Sequence, residues 1–217
     1  MNTPLLSART NLLLRTLAPH TGLSADEIGA NGKEGYARFM RATHAYIRTS
    51  VPLMVEARAR FAQLVGQDHI VSYLDHHIEE EMRHDVWTIE DLAEHGLNTD
   101  TSDVELIPEI AAACGTQYYH VHHGNPWLFF GYIFSLESFP PGAELIEHLI
   151  ASTGLPPSAF RTLQVHSDLD QEHASDLADL IDTFELGAEA ESAFQFNALA
   201  SSTQISVGVR RALSLPS

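Results

Sequence analysis

HIEEEMRH (residues 77–84) and HSDLDQEH (residues 166–173) are two segments in which a histidine, an acid and a second histidine recur at the same spacing. The two triplets are His77, Glu81 and His84 in the first segment and His166, Asp170 and His173 in the second. On an α-helix, offsets of four and seven residues keep three side chains within about 60° of arc. Imidazole and carboxylate are the ligands of iron, manganese and zinc. The pattern therefore predicts two helices that face a shared metal site.

Three consecutive acids lie in the first segment, and helix geometry favours one of them. Measured from His77, Glu80 is turned by roughly 60° away from Glu81, and Glu79 by more than about 150°. Glu81 is therefore the preferred ligand. Together with His84 it forms the Glu-x-x-His pair that is typical of di-iron carboxylate bundles.

A third candidate ligand lies in the most apolar segment of the chain. Glu137 ends the run FFGYIFSLE, residues 129–137, which should form a buried helix. A buried carboxylate is costly unless it is paired or binds a cation. We therefore expect Glu137 to complete the metal site from a third helix.

The hydrophobic periodicity is helical throughout, and no segment shows the alternation of a strand. The sequence predicts an all-α bundle of about seven helices in one domain, residues 1–217, with residues 1–24 as an N-terminal extension packed on it. The predicted helices cover residues 35–64 with a break near Pro52, 67–95, 107–119, 127–139, 143–152, 158–184 and 188–213.

The composition excludes several classes of protein. Lys and Arg number 12 against 29 Asp and Glu, a formal charge of −17, which argues against nucleic-acid and anionic-membrane partners. The single cysteine, Cys114, excludes disulfide bonds and thiolate-rich zinc sites, and it favours a cytoplasmic location. No apolar run approaches the roughly 20 residues that span a bilayer. Thirteen histidines are the unusual feature.

These motifs resemble the haem-oxygenase-like di-iron oxidases and oxygenases. The resemblance rests on residues 77–92, on Tyr118 through Glu137, and on the segment 166–173, and it extends over about residues 35–205. It implies a seven-helix haem-oxygenase-like fold and two bound irons. The ligands that it implies are Glu81, His84, Glu137, His166, Asp170 and His173.

One position departs from the family pattern. Some members carry a further carboxylate seven residues before the histidine of the first ligand helix, and here that position is His77. Whether His77 binds metal, tunes a ligand or is only a neighbour stays open at this stage. With one carboxylate fewer than in those members, the ligand set is compatible with one iron as well as with two.

The resemblance also implies an activity. Family members are oxidoreductases that activate O2 at reduced iron and oxidise small amino-acid-like or fatty-acid-like substrates. The expected partners are therefore O2 and a small molecule, and a homodimer is compatible with the sequence. The aromatic residues that could line a substrate pocket are Tyr118, Trp127, Phe130 and Phe134.

Four alternatives remain. A haem enzyme on the same fold would use an early histidine, His44 or His20. A thiaminase of the TenA type would need Cys114 as its nucleophile. A non-catalytic iron-binding protein would need the same ligands as the oxidase. A plain helical domain would carry its histidines on the surface.

Overall fold

The computed structural model describes the backbone of residues 5–21 and 23–215, and the side chains in these ranges except those of 18–21 and 168–172. Within these residues the regular structure is entirely helical, as predicted. The α-helices are α1 (Leu6–Thr21), α2 (Ala25–Gly29), α3 (Gly32–Ile47), α4 (Ser50–Phe61), α5 (Asp68–Glu81), α6 (His84–Glu94), α7 (Pro108–His123), α8 (Phe129–Glu137), α9 (Ala143–Thr153), α10 (Arg161–Ile181) and α11 (Ala188–Leu213). Short 3-10 turns precede α8 and α10.

The described part of the chain contains eleven α-helices, more than the seven expected, partly because two long predicted helices are each divided. The first division separates α3, which ends at Ile47, from α4, which begins at Ser50. Pro52 therefore lies in the first turn of α4, where its missing N–H leaves no helical hydrogen bond unmade. The predicted break near Pro52 is present, a few residues earlier.

The second division overturns the prediction of one continuous helix over residues 67–95. The α5 helix ends at Glu81, Met82 is extended with ψ 121°, and Arg83 adopts a left-handed φ of 77° before α6 starts at His84. The sequence carries no glycine, proline or asparagine here to mark a break. A left-handed conformation costs a residue with a Cβ about 1–2 kcal/mol, so tertiary contacts must hold it.

The centre of the bundle is α8, whose residues from Phe129 to Ser135 are all buried. It packs against α10 and α11. Gly131 permits the close approach to α11, because a Cβ at this position would lie 2.8 Å from the carbonyl oxygen of Phe194. This packing carries Glu137, at the end of α8, to the level of α5 and α10.

The N-terminal helix α1 packs on α10 and α11. Leu6 and Leu14 are buried. The Ser7 backbone N–H and hydroxyl donate to the two carboxylate oxygens of Asp182, at 2.9 and 2.6 Å. Residues 1–4 and 22 of the predicted extension lie outside the described residues. In the part of the chain that is described, no helix has the length and apolar character needed to cross a bilayer.

Candidate metal centre

The ligands predicted from the first histidine segment lie on both sides of the helix break. His77 and Glu81 are in the last two turns of α5, and His84 is the first residue of α6. The nearest oxygen of Glu81 lies 3.0 Å from Nδ1 of His84. The break therefore brings Glu81 and His84 together, although they are not on one helix as the sequence suggested.

Side chains from α3 and α6 hold the helix start that carries His84. The carbonyl of Asp85 accepts from the Thr88 hydroxyl at 2.6 Å and lies 2.9 Å from Nδ1 of His44. The carbonyl can only accept, so Nδ1 of His44 carries the proton. His44 and Thr88 thus stabilise the first turn of α6 next to the strained Arg83.

The predicted ligands fall into two groups that share one residue. The first ligand group is His77, Glu81, Glu137 and His173, and the second is Glu81, His84 and His166. In each group the ligand atoms lie within 4.8 Å of one another. Glu81 belongs to both groups, so its carboxylate lies between two sites that could each hold a metal ion.

The first ligand group is buried and closely spaced. Nδ1 of His173 lies 3.4 Å from an oxygen of Glu81 and 3.4 Å from an oxygen of Glu137. The other oxygen of Glu137 lies 3.6 Å from Nε2 of His77. His77, Glu137 and His173 are each buried, and Glu81 is nearly so.

The surroundings of His173 show whether the first ligand group is suited to a metal ion. The residue is only 4% exposed, yet neither ring nitrogen has a hydrogen-bond partner among the described residues. Buried polar atoms are normally satisfied. Carboxylates and imidazoles that converge on unsatisfied nitrogens suit a divalent first-row metal. The residues of the first ligand group therefore fit a bound metal ion.

Within the first ligand group, the surroundings of Glu137 and His173 favour the charged forms of these two side chains. Burial opposes the charge of Glu137, but the imidazoles of His173 and His77 outweigh it and lower the pKa of Glu137 to about 2. Burial also opposes the charge of His173, but Glu137, Glu81 and Glu80 raise the pKa of His173 to about 9. Without metal, a protonated His173 is thus held by acids, and a bound cation would replace that proton.

The second ligand group is less completely described. Nδ1 of His166 lies 2.8 Å from the carbonyl oxygen of Thr162. Since a carbonyl can only accept, Nδ1 carries the proton and Nε2 is left as the ligand atom. The rings of His84 and His166 lie 4.8 Å apart. The side chain of Asp170, the remaining predicted ligand, lies outside the described residues.

Three residues near the ligands were not identified by the sequence motifs. Glu80, which the helix geometry set aside, lies 3.4 Å from Nε2 of His173 at the edge of the first ligand group. Asp91 and Thr162 are buried and hydrogen-bonded to each other. Asp91 follows His84 by seven residues and Thr162 precedes His166 by four, so helical spacing could have indicated both.

A cavity of about 210 Å³ opens onto both ligand groups. His77, Glu81, Glu137 and His166 lie in its wall. The rest of the described wall is mostly apolar and contains no Lys or Arg, and its residues are Phe39, Thr43, Tyr46, Ile47, Ser50, Met54, Ile133, Leu136, Phe139, Pro141, Leu145, Thr162 and Leu163. The cavity therefore suits an apolar molecule whose polar end reaches the ligands.

The four aromatic residues proposed as pocket lining are not part of this wall. Tyr118 lies at the surface beside His122, and Trp127 lines a separate surface cavity. Phe130 is fully buried in the core. Phe134 lies with Glu137 in a third cavity, on the side of α1. The largest shares of the cavity wall come from α3, α8 and α10, and apart from the ligands its residues belong to no motif.

Comparison with known proteins supports the architecture. A family described as iron-containing redox enzyme matches residues 70–202. No curated protein matches the sequence. A solved domain of unknown function with a haem oxygenase-like fold from Shewanella denitrificans OS217 is 19% identical, with 96% of this chain and 88% of that chain covered and a TM-score of 0.71.

Two solved TenA homologues are also similar. The one from Pyrococcus furiosus is 10% identical over 96% of this chain and 100% of that chain, with a TM-score of 0.75. The one from Pseudomonas syringae pv. tomato is 12% identical over 99% of each chain, with a TM-score of 0.70. At these identities the likeness concerns the fold alone, and it confirms the predicted haem-oxygenase-like fold.

Proposed function

Because this chain belongs to the iron-containing redox enzyme family, we propose that it is a non-haem di-iron enzyme that activates O2 and oxidises a small, largely apolar substrate. The observation that carries the proposal is the position of Glu81 in two ligand groups. A carboxylate between two metal positions is characteristic of di-iron carboxylate bundles. The proposed ligands are Glu81, His84, Glu137, His166, Asp170 and His173.

The ligand chemistry supports iron. Carboxylates stabilise ferric iron and neutral imidazoles retain ferrous iron, so a mixed set allows both oxidation states. When bound, the metal supplies the reactivity towards O2, and the protein supplies position and a dry pocket. Glu137 and His173 would hold the ion from inside the bundle, and the mostly apolar wall of the cavity would keep water from the reacting end of the substrate.

The cavity supports a fatty-acid-like substrate over an amino-acid-like one. Its described wall offers an acid substrate no Lys or Arg as a partner. Residues such as Met54, Ile133 and Leu163 would contact an alkyl chain, and burial of each methylene contributes about 0.8 kcal/mol. A carboxylate head group would then have to be neutralised by the bound metal ions, since the ligand side chains include the acids Glu81 and Glu137.

The other candidate functions gain no support from the geometry. Cys114 is buried against Thr49 and Tyr132, burial raises its pKa, and it is not among the residues of the cavity wall, so a thiaminase-type nucleophile is not favoured. His44 is engaged with the carbonyl of Asp85. The side chain of His20, the other candidate haem ligand, lies outside the described residues. A non-catalytic iron-binding protein shares every ligand and has to be distinguished by experiment.

The test loads anaerobic protein with ferrous iron, quantifies the metal, and then adds O2 together with fatty acids and amino acids of increasing length. We expect two irons per chain and O2 consumption that an alkyl acid accelerates. Glu137→Gln should lower bound iron and O2 consumption together, whereas Glu79→Gln, at an exposed position of α5, should change neither. Two bound irons without O2 consumption would support the binding protein, and absence of bound iron would contradict both readings.

A further inference from the structure

His77 occupies a buried position beside the ligands. It lies one helical turn before Glu81 on α5 and is 3% exposed. Its neighbour His76 has a side chain that is 67% exposed and forms an ion pair with Glu80. The two adjacent histidines therefore differ in environment, since one faces the bundle interior and the other faces solvent.

The orientation of His77 is fixed by aromatic neighbours. Its ring stacks on Tyr73, with 5.4 Å between the ring centres and 16° between the planes. On its other side it meets the ring of His173 edge-on, with centres 4.7 Å apart. Such packing leaves the imidazole few rotamers, which a metal ligand requires.

The His77 ring also faces an acid of the first ligand group. Nε2 of His77 lies 3.6 Å from Glu137, longer than a hydrogen bond. A simple buried ion pair would bring these atoms closer, and it would also leave the ring nitrogens of His173 without a hydrogen-bond partner among the described residues. A cation between His77, Glu137 and His173 would satisfy all three side chains.

We propose that His77 is a direct metal ligand, so that the first ligand group binds its ion through two imidazoles and two carboxylates. This proposal rests on the proposed function and specifies the chemistry of one of its two metal positions. An imidazole in place of a carboxylate removes one negative charge from the ligand set. The position should therefore favour borderline ions such as Fe²⁺, Co²⁺ and Zn²⁺ over Mg²⁺ and Ca²⁺, which prefer oxygen.

The test uses Co²⁺, whose visible absorption reports coordination and which can be titrated against a chelator. Wild-type protein should bind two Co²⁺ per chain. His77→Ala should weaken one of them by roughly 100-fold or more, because even second-shell changes cost 10–100-fold, and it should change the absorption while the other ion stays bound. His77→Glu should restore two-ion binding with a different spectrum. The matched control His76→Ala should behave as wild type.

Each outcome separates this proposal from the proposed function. Two ions bound with unchanged affinity and spectrum in His77→Ala would overturn the ligand role while leaving the di-metal centre intact. Absence of Co²⁺ and iron binding by the wild-type protein would overturn the function itself. If His77→Ala fails to fold, NMR of the wild-type protein with ¹⁵N-labelled histidine provides the test. Zn²⁺ should move the chemical shift of one His77 ring nitrogen to the range of metal-bound imidazole. An unshifted His77 nitrogen at full Zn²⁺ occupancy would overturn the proposal.

Discussion

Asp91 on α6 accepts two hydrogen bonds from Thr162 on α10, one from the backbone N–H at 2.8 Å and one from the hydroxyl at 2.7 Å. Both residues are buried. The carbonyl of Thr162 in turn accepts from Nδ1 of His166. Asp91 also lies two turns beyond His84 on the same helix. The contact therefore ties the helix of one proposed ligand to the helix of the other and sets the separation of the two imidazoles.

Removing Asp91 should loosen both the fold and the second metal position. Asp91→Ala leaves a buried N–H and hydroxyl of Thr162 unsatisfied, which costs about 1–3 kcal/mol each. We expect the free energy of unfolding, measured in urea, to fall by several kcal/mol, and one of two metal ions to bind more weakly. Asp91→Asn, which keeps an acceptor, should recover part of both. Glu90→Ala, at a partly exposed neighbouring position, is the control. Equal metal binding in Asp91→Ala and Glu90→Ala would refute the positioning role.

Glu81 should be needed for both metal positions, whereas His84 should be needed for one. Because Glu81 belongs to both ligand groups, Glu81→Ala should reduce bound iron from two ions per chain towards none. His84→Ala should leave one ion, since His77, Glu137 and His173 keep their contacts. Metal quantification after gel filtration measures both. Loss of the same number of ions in the two variants would contradict a shared carboxylate.

The sequence predicts the helices better than their interruptions. The helical bounds of residues 188–213 agree with α11, because apolar periodicity over a long segment is a strong local signal. The break at Met82 and Arg83 has no such signal. Arg83 adopts a left-handed φ that its own side chain disfavours, so the conformation depends on contacts with α3 that are distant in sequence.

The same distinction applies to the site. The spacing of the two histidine segments and the lone acid in an apolar helix pointed to Glu81, Glu137 and His173, which the structure brings together. The cavity wall could not be identified in this way, because Thr43, Met54 and Leu163 are ordinary helix residues. Their shared role arises from the packing of separate helices, which a single sequence does not encode locally.

Raising the pH from about 6.5 to 9 should destabilise the metal-free protein. The pKa of His173 in the fold is about 9, above its ordinary value of 6.5. Its charged form therefore stabilises the fold fully below pH 6.5, and this contribution is lost as the pH rises through 9. The loss should be on the order of 1–3 kcal/mol, because one pKa unit corresponds to about 1.4 kcal/mol.

Urea unfolding after treatment with a chelator, at pH 6, 7.5 and 9, measures this effect. His173→Gln is the control, because it lacks the titrating group and should show a shallower dependence over the same range. An equal pH dependence in both proteins would show that His173 does not carry the effect. On the acid side, the contribution of Glu137 should be lost as the pH falls from 4.5 towards its folded pKa of about 2.

Narrowing the cavity should lower the maximum length of substrate that binds, while the metal content of the protein stays unchanged. Thr43 is buried in the cavity wall and its hydroxyl has no hydrogen-bond partner among the described residues. Thr43→Phe should fill part of the space and reduce the longest alkyl acid that raises the melting temperature of the iron-loaded protein. Thr43→Val, similar in shape, should leave that length unchanged. An unaltered length limit in Thr43→Phe would mean that substrates bind elsewhere.

Gly131 should be intolerant of even a methyl group, because α8 and α11 touch there through their backbones. A Cβ at Gly131 would lie 2.8 Å from the carbonyl oxygen of Phe194 and 3.3 Å from the backbone nitrogen of Ala198. Neither atom can rotate away, so Gly131→Ala must separate the helices, and overpacking of this kind costs about 1–3 kcal/mol. Gly115→Ala on α7 is the matched control, since nothing lies within 4 Å of that Cβ and alanine should gain up to about 1 kcal/mol in a helix. The melting temperature should therefore fall for the first variant and hold or rise for the second. Similar melting temperatures for the two variants would show that α8 is not held against α11 as closely as this contact requires.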